Sequence, residues 1–202
     1  RRRRTGTRPV AAELPFGFEG REPVAFPLGD GRTVAVRGKA DRVDRAADGT
    51  LHVVDYKTGK SDRYKGLSAE DPHQGGQHLQ LAVYGQAVRQ QFGDDATAVE
   101  ASYWFTSSKG RFVQLGYPIT ADVVANVGEA MRTIVDGIES GLFPPHPAPP
   151  STSPFTDCLY CDPDELGTSD LLRRWERKQA DELVAPYLDL ITPPADEIGA
   201  DA

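Results

Sequence analysis

The sequence predicts a mixed α/β fold, a sheet with helices packed on it, and three observations carry that reading. Stretches rich in β-branched and aromatic residues are separated by Gly-Asp turn signals. Two longer stretches repeat apolar residues at helical spacing. The two kinds interleave in the order β-β-β-α-β-β-α, which gives neither an all-helical bundle nor a β-sandwich.

Each element has its own signal. "REPVAFPL" (residues 21–28) and "RTVAVRGKADRVDRA" (residues 32–46) read as strands joined by the turn Gly29-Asp30-Gly31. Asp48-Gly49 turns the chain into a third strand, "TLHVVDYK" (residues 50–57), and a loop rich in Gly, Ser and Asp follows to residue 76. In "QHLQLAVYGQAVRQQF" (residues 77–92), Leu79, Ala82, Val83, Ala87 and Val88 form a helical stripe. Two strands, residues 97–107 and 111–119, flank the turn Ser108-Lys109-Gly110. The second helix begins at the N-cap Thr120 and stops at Gly141. The domain expectation is a core over residues 1–143, a proline-rich linker over 144–157, and a Cys-containing turn with an acidic, partly helical tail over 158–202. Residues 1–20 are read as a leader without an element, and there is no internal repeat.

Composition excludes several classes. With 39% hydrophobic and 26% charged residues in 202, the chain can bury a core as one domain with appendages. No apolar run approaches the ~18 residues of a membrane span, and no hydrophobic segment follows the N-terminal arginines as in a secretory signal. The two cysteines stand in a CxxC spacing, which is not a secreted disulfide framework. A cytoplasmic protein is expected, and the absence of an initiating Met suggests the end of a longer polypeptide. The net charge of −7 hides an asymmetry. Residues 1–65 carry 15 Lys and Arg against 9 Asp and Glu, while residues 66–202 carry 8 against 21. A basic front half suits a surface facing a polyanion, although a basic leader and an acidic tail give the same totals.

The third strand ends in charge: in "VVDYKTGK", Asp55 and Lys57 lie two apart and so share one face. Whether Asp41, on the preceding strand, joins them depends on the hairpin. A two-residue loop, Asp48-Gly49, sets Asp41 opposite Tyr56 and sends the two aspartates to opposite faces. A three-residue loop, Ala47-Asp48-Gly49, sets Asp41 opposite Asp55, and Gly49 takes its left-handed position without steric cost. In that register two carboxylates adjoin, an arrangement that repels unless a cation joins them. Oxygen-rich sites of this type suit Mg²⁺ or Mn²⁺, and a lysine beside such an ion stabilises charge developing on a phosphate.

"GKADRVD" (residues 38–44), "VVDYKTGK" (residues 53–60) and "QLAVY" (residues 80–84) together resemble, in order and spacing, the three motifs of RecB-type nucleases of the PD-(D/E)XK superfamily. The resemblance covers roughly residues 10–168. It implies a restriction-endonuclease-like mixed β-sheet flanked by helices, and a sequence-nonspecific, metal-dependent DNA nuclease, AddB- or AdnB-like, at the C-terminal end of a recombination helicase–nuclease. It implies that Asp41 and Asp55 bind metal with the Tyr56 backbone carbonyl, and that Lys57 stabilises the phosphate or orients the water. It also implies that Gln80 and Tyr84 border the site, supporting Lys57 or the DNA backbone. Arg42 and Asp44 are read as a pair beside the site, or else as a surface ion pair.

Two features depart from that pattern. The family places a metal-binding His on a helix upstream of the first strand, and no His precedes it in this sequence. That residue then lies upstream of Arg1, or the copy is impaired and binds or scaffolds DNA without cutting. His73 and His78 are read as ordinary rather than as its replacements. Relatives of the AddB and AdnB type often hold an iron–sulfur cluster on four cysteines. This sequence keeps Cys158 and Cys161, with Gly167 about where a third is expected, so the pair is a cluster remnant, a buried thiol pair or, more remotely, a regulatory metal site. Glu13 is an additional acidic candidate, read as solvated. Tyr103, Trp104 and Phe105 are assigned to strand core, and Trp175 to packing of the tail helix.

Overall fold

The computed structural model describes residues 6–93, 97–144 and 169–192. Its first compact unit runs from Arg1 to Arg132 and its second from Thr133 to Ala202. The first unit is built on a five-stranded mixed sheet with the strand order β1-β4-β5-β6-β7. The strands are β1 (Arg8–Phe16), β4 (Gly38–Arg45), β5 (Leu51–Lys57), β6 (Val99–Phe105) and β7 (Gln114–Pro118). The central pair β5–β6 is parallel and all other neighbours are antiparallel. A separate two-stranded ribbon joins β2 (Val24–Pro27) to β3 (Thr33–Val36).

The parallel pair needs a crossover, and α1 (Gln80–Phe92) supplies it. Its buried face (Leu81, Val83, Tyr84, Val88) packs against β6, β2 and β5. Leu51, Val53, Phe26, Leu28, Tyr103, Phe105 and Ile119 complete the core. The second helix, α2 (Ala121–Glu139), starts where expected, with the Thr120 hydroxyl accepting from Val123 N at 3.2 Å. In the second unit, α3 (Ser169–Lys178) and α4 (Ala185–Ile191) flank a short 3₁₀ turn capped by Asp181. Trp175 meets Tyr187 edge-on at 6.2 Å, in keeping with a packing role.

Two expectations are corrected. Residues 8–16 are an edge strand rather than a leader. "RPVAAELPF" shows no alternation, and its two prolines mask a strand that only an edge position tolerates. The single strand expected over residues 32–46 is two, divided at Arg37 between the ribbon and the main sheet. Gly38 opens β4 opposite Phe16: a Cβ there would lie 2.7 Å from the Phe16 ring, so a side chain at this position would displace the β1 partner.

Candidate active site

The β4–β5 hairpin uses the three-residue loop. Ala46 N donates to Thr50 O at 2.8 Å, Gly49 sits at φ +93°, and the Asp48 carboxylate accepts from Thr50 N at 2.9 Å. The register that follows, Arg45 to Leu51 through Arg42 to Val54, brings Asp41 across from Asp55. At this end of the ladder the Asp41 carboxylate accepts from Tyr56 N at 2.8 Å. It thus occupies a place where a backbone carbonyl would otherwise bond.

Asp55 is 4% exposed. Its Oδ2 lies 2.7 Å from Lys57 Nζ, close enough for an ion pair. The approach lacks the alignment of a hydrogen bond, so among the described residues this buried oxygen has no satisfied hydrogen-bond partner. Burial pushes the Asp55 carboxyl above its usual range. Lys57 opposes that rise, and the Asp41 charge adds to it. Lys57 is the group that favours the ionised form against this burial.

Lys57 is positioned from a second element. Its ammonium donates to Gln80 Oε1 at 2.9 Å and stands 5.0 Å from the centroid of the Tyr103 ring. Gln80 Nε2 in turn donates to the Tyr84 hydroxyl at 2.7 Å, and the lysine, a donor only, sets which way the amide points. Gln80 and Tyr84 are four apart at the start of α1, one turn on one face. The Tyr84 hydroxyl is raised above its ordinary pKa by burial, against the Gln80 bond and with the Asp55 and Asp41 charges. Tyr103 joins this group without a sequence signal of its own, because parallel pairing sets it beside Asp55.

Strand alternation carries the other candidates to the opposite face of the sheet. Arg42 Nε pairs with the buried Asp44 at 2.9 Å and its Nη1 lies 3.4 Å from the Tyr56 hydroxyl. The Tyr56 ring rests against Trp104, their centroids 5.7 Å apart. Trp104 is 37% exposed, so of the three aromatics assigned to core only Tyr103 and Phe105 are buried. His73 is neutral-leaning: burial lowers its pKa, and its Nδ1 accepts from Gly76 N at 3.0 Å. His78 stacks on Tyr64 at 4.5 Å, with Nε2 on Arg63 O. Neither imidazole is engaged with the aspartates. Glu13 pairs with Lys39 at 2.9 Å. That bond, more than the nearby Asp41 charge, raises the Lys39 pKa. Cys158 and Cys161 lie outside the described residues.

Asp41 and Asp55 fit a hard divalent cation, since both offer oxygen and Asp55 Oδ2 is buried without a satisfied donor. They are two where such ions take more. Among the described residues no group of three or more His, Cys, Asp or Glu side chains is disposed to hold a metal ion.

A profile of the PD-(D/E)XK nuclease superfamily matches residues 1–166. Among similar proteins, an ATP-dependent helicase/deoxyribonuclease subunit of Clostridium tetani is 40% identical over 93 residues, 44% of this chain and 8% of that protein. The protein of the same name from Symbiobacterium thermophilum is 42% identical over 92 residues, 40% of this chain and 7% of that protein. A third, from Lacticaseibacillus casei, is 40% identical over 98 residues, 43% of this chain and 8% of that protein. The chain therefore spans under a tenth of the length of these relatives. Among the described residues no helix is long and apolar enough to cross a membrane.

Proposed function

The chain belongs to the PD-(D/E)XK nuclease superfamily, whose members generally use divalent metal ions. On that premise we propose that it is a sequence-nonspecific, Mg²⁺- or Mn²⁺-dependent deoxyribonuclease, the exonuclease module of a cytoplasmic helicase–nuclease for DNA recombination and repair. Its nuclease core is residues 1–143, followed by a linker over 144–157 and a tail over 158–202. DNA is its substrate, and a helicase domain in the same polypeptide or complex is its partner. The observation that carries this reading is the buried Asp55 carboxylate, set across from Asp41 and paired, among the described residues, with Lys57.

Asp41, Asp55 and the Tyr56 carbonyl would hold the cation. When bound, the ion supplies a water of lowered pKa and positive charge beside the phosphate. Lys57 brings a second positive charge to the oxygens that gain negative charge as the phosphodiester is attacked. The Gln80–Tyr84 pair fixes where that ammonium stands, so little reorganisation is required when charge develops. All of these groups address phosphate rather than base edges, in keeping with cleavage indifferent to sequence.

The test is cleavage of linear DNA with Mn²⁺ by the polypeptide that contains this chain together with its upstream residues. Asp55→Ala should abolish cleavage, and calorimetry should show Mn²⁺ binding lost with it. Cleavage and binding both unchanged in Asp55→Ala would overturn the site assignment. A second reading, a nuclease fold that binds DNA without cutting, is favoured by one observation: the described donor set stops at two carboxylates. Wild-type protein that retains DNA and Mn²⁺ yet never cuts would establish that reading.

A further inference from the structure

One residue near this site is held in a conformation that packing does not explain. Glu13 lies in the middle of β1 at φ +50°, in the left-handed region. For a residue with a side chain that costs about 1–2 kcal/mol. The β1–β4 ladder pairs Ala12 with Arg42 and Leu14 with Ala40, and it passes over Glu13 between them. The position opposite Glu13 is therefore Asp41, and the position beyond Asp41 is Asp55. Three carboxylate-bearing positions thus form one row across three adjacent strands. The Glu13 side chain is 73% exposed and buries no apolar surface that would account for the strain. What it meets is the ammonium of Lys39, at 2.9 Å, on a side chain 49% exposed. Lys39 stands two residues before Asp41 on the same strand and so shares its face.

We propose that Glu13 is the third carboxylate of the metal site, held by Lys39 until a divalent cation takes the place of the ammonium. This rests on the nuclease reading, because it completes the donor set that reading requires. Backbone positions directly opposite in an antiparallel pair lie about 4.5–5.5 Å apart between Cα atoms, an interval that a glutamate side chain spans. A glutamate across from Asp41 therefore reaches any cation that Asp41 binds by rotating its own side chain. Mg²⁺ and Mn²⁺ favour several oxygens, and Asp55 Oδ2 already presents a buried one without a satisfied donor. The exchange is between charges of the same sign: an ammonium of one unit leaves and a cation of two arrives. An exposed ion pair such as Lys39–Glu13 contributes little to stability, so releasing it costs little.

The test is calorimetric titration of the 202-residue chain with MnCl₂ and no DNA, for wild type, Glu13→Gln, Lys39→Met and Asp55→Asn. Glu13→Gln should bind Mn²⁺ about tenfold or more weakly, the loss expected from removing one charged ligand. Lys39→Met should bind at least as tightly as wild type, its competitor having gone. Affinity in Glu13→Gln within twofold of wild type would overturn the proposal, and so would weaker binding in Lys39→Met. If Asp55→Asn abolishes binding while Glu13→Gln retains it, Glu13 alone is excluded and the aspartate site stands. Wild-type affinity in Asp55→Asn would instead remove the site itself. Glu13→Gly separates ligand from scaffold, because glycine adopts φ +50° without strain. It should lose Mn²⁺ affinity while its metal-free Tm equals or exceeds that of wild type. A lowered metal-free Tm in both Glu13 variants would mark a fold defect and overturn the proposal.

Discussion

The two faces of the β4–β5 hairpin each carry an aspartate and a cation two residues apart, and the two pairs are built to different ends. On one face Asp44 is buried and Arg42 half exposed, and the guanidinium approaches in line, donating from Nε at 2.9 Å. The same guanidinium also reaches the Tyr56 hydroxyl, and both contacts raise the Arg42 pKa, Asp44 more than Tyr56. On the other face Asp55 is as buried as Asp44, and Lys57 comes as near, at 2.7 Å, but out of alignment. Burial there pushes the Asp55 carboxyl up. One pair has its hydrogen bonds made. The other keeps a charged oxygen open, which is a cost to the fold and an opportunity for a cation. Two ion pairs of similar length and burial thus have opposite consequences, and the difference lies in what else each carboxylate meets.

The largest expected effect separates the faces by chemistry. Lys57→Ala should lower turnover on DNA by about 10²–10³-fold, the range for removing one preorganised electrostatic donor. Arg42→Ala should change it by less than about tenfold, through loosened packing at Tyr56 alone. Single-turnover cleavage of labelled DNA measures both, and equal losses would erase the distinction. Stability should separate them next, and with opposite signs. Asp44→Asn leaves Arg42 without its counter-charge; because that guanidinium is 38% exposed, the cost is about 1–2 kcal/mol rather than the 3–5 of a fully buried pair. Asp55→Asn should raise the metal-free Tm at neutral pH. A carboxyl whose folded pKa is raised contributes stability only below its unfolded value and loses it as pH rises through the folded one, so the ionised group is a net cost. Thermal melts of the two variants at about pH 7.5 check both signs, and a lowered Tm in Asp55→Asn would show that the Lys57 pair outweighs burial.

The smallest effect concerns the loop leading into α1. Burial lowers the His73 pKa below its ordinary 6.5, against the Asp71 charge. As pH falls below about 6.5 the unfolded chain takes up the proton first, so stability is lost on acidification. The slope from this one group is bounded by one proton, about 1.4 kcal/mol per pH unit. Urea unfolding at about pH 7.5 and about pH 5.5 should show the loss in wild type and a smaller one in His73→Gln. An equal loss in both would assign the acid sensitivity to another group.

Some of this was open to inspection in the sequence. The order of elements, the Thr120 cap and the face shared by Asp55 and Lys57 follow from spacing, because side-chain periods of 2 and 3.6 are local properties of the chain. The alternation that buries Tyr103 and Phe105 and exposes Trp104 was equally readable, and assigning all three to the core overlooked it. Strand β1 was hidden for a different reason: two prolines, two alanines and a strained glutamate give no local preference, and the strand exists because β4 offers an edge to pair with. In the same way, the close approach of Phe16 to Gly38 is a contact 22 residues apart.

The hairpin shows where the boundary falls. The sequence by itself determined which residues bear the chemistry and that the Gly49 turn admits two registers. Both loops are sterically allowed, and they differ by one residue that flips every side chain to the other face. Choosing between them took the whole sheet, with β1 and β6 on either side of the hairpin and Asp41 closing onto Tyr56 N. Only the tertiary structure could decide that Asp41 lies across from Asp55 and its lysine, that Gln80 and Tyr84 come from a helix to hold that lysine, and that Glu13 stands in the same row. Those are contacts between segments distant in the chain, and their energies arise only when the segments are brought together.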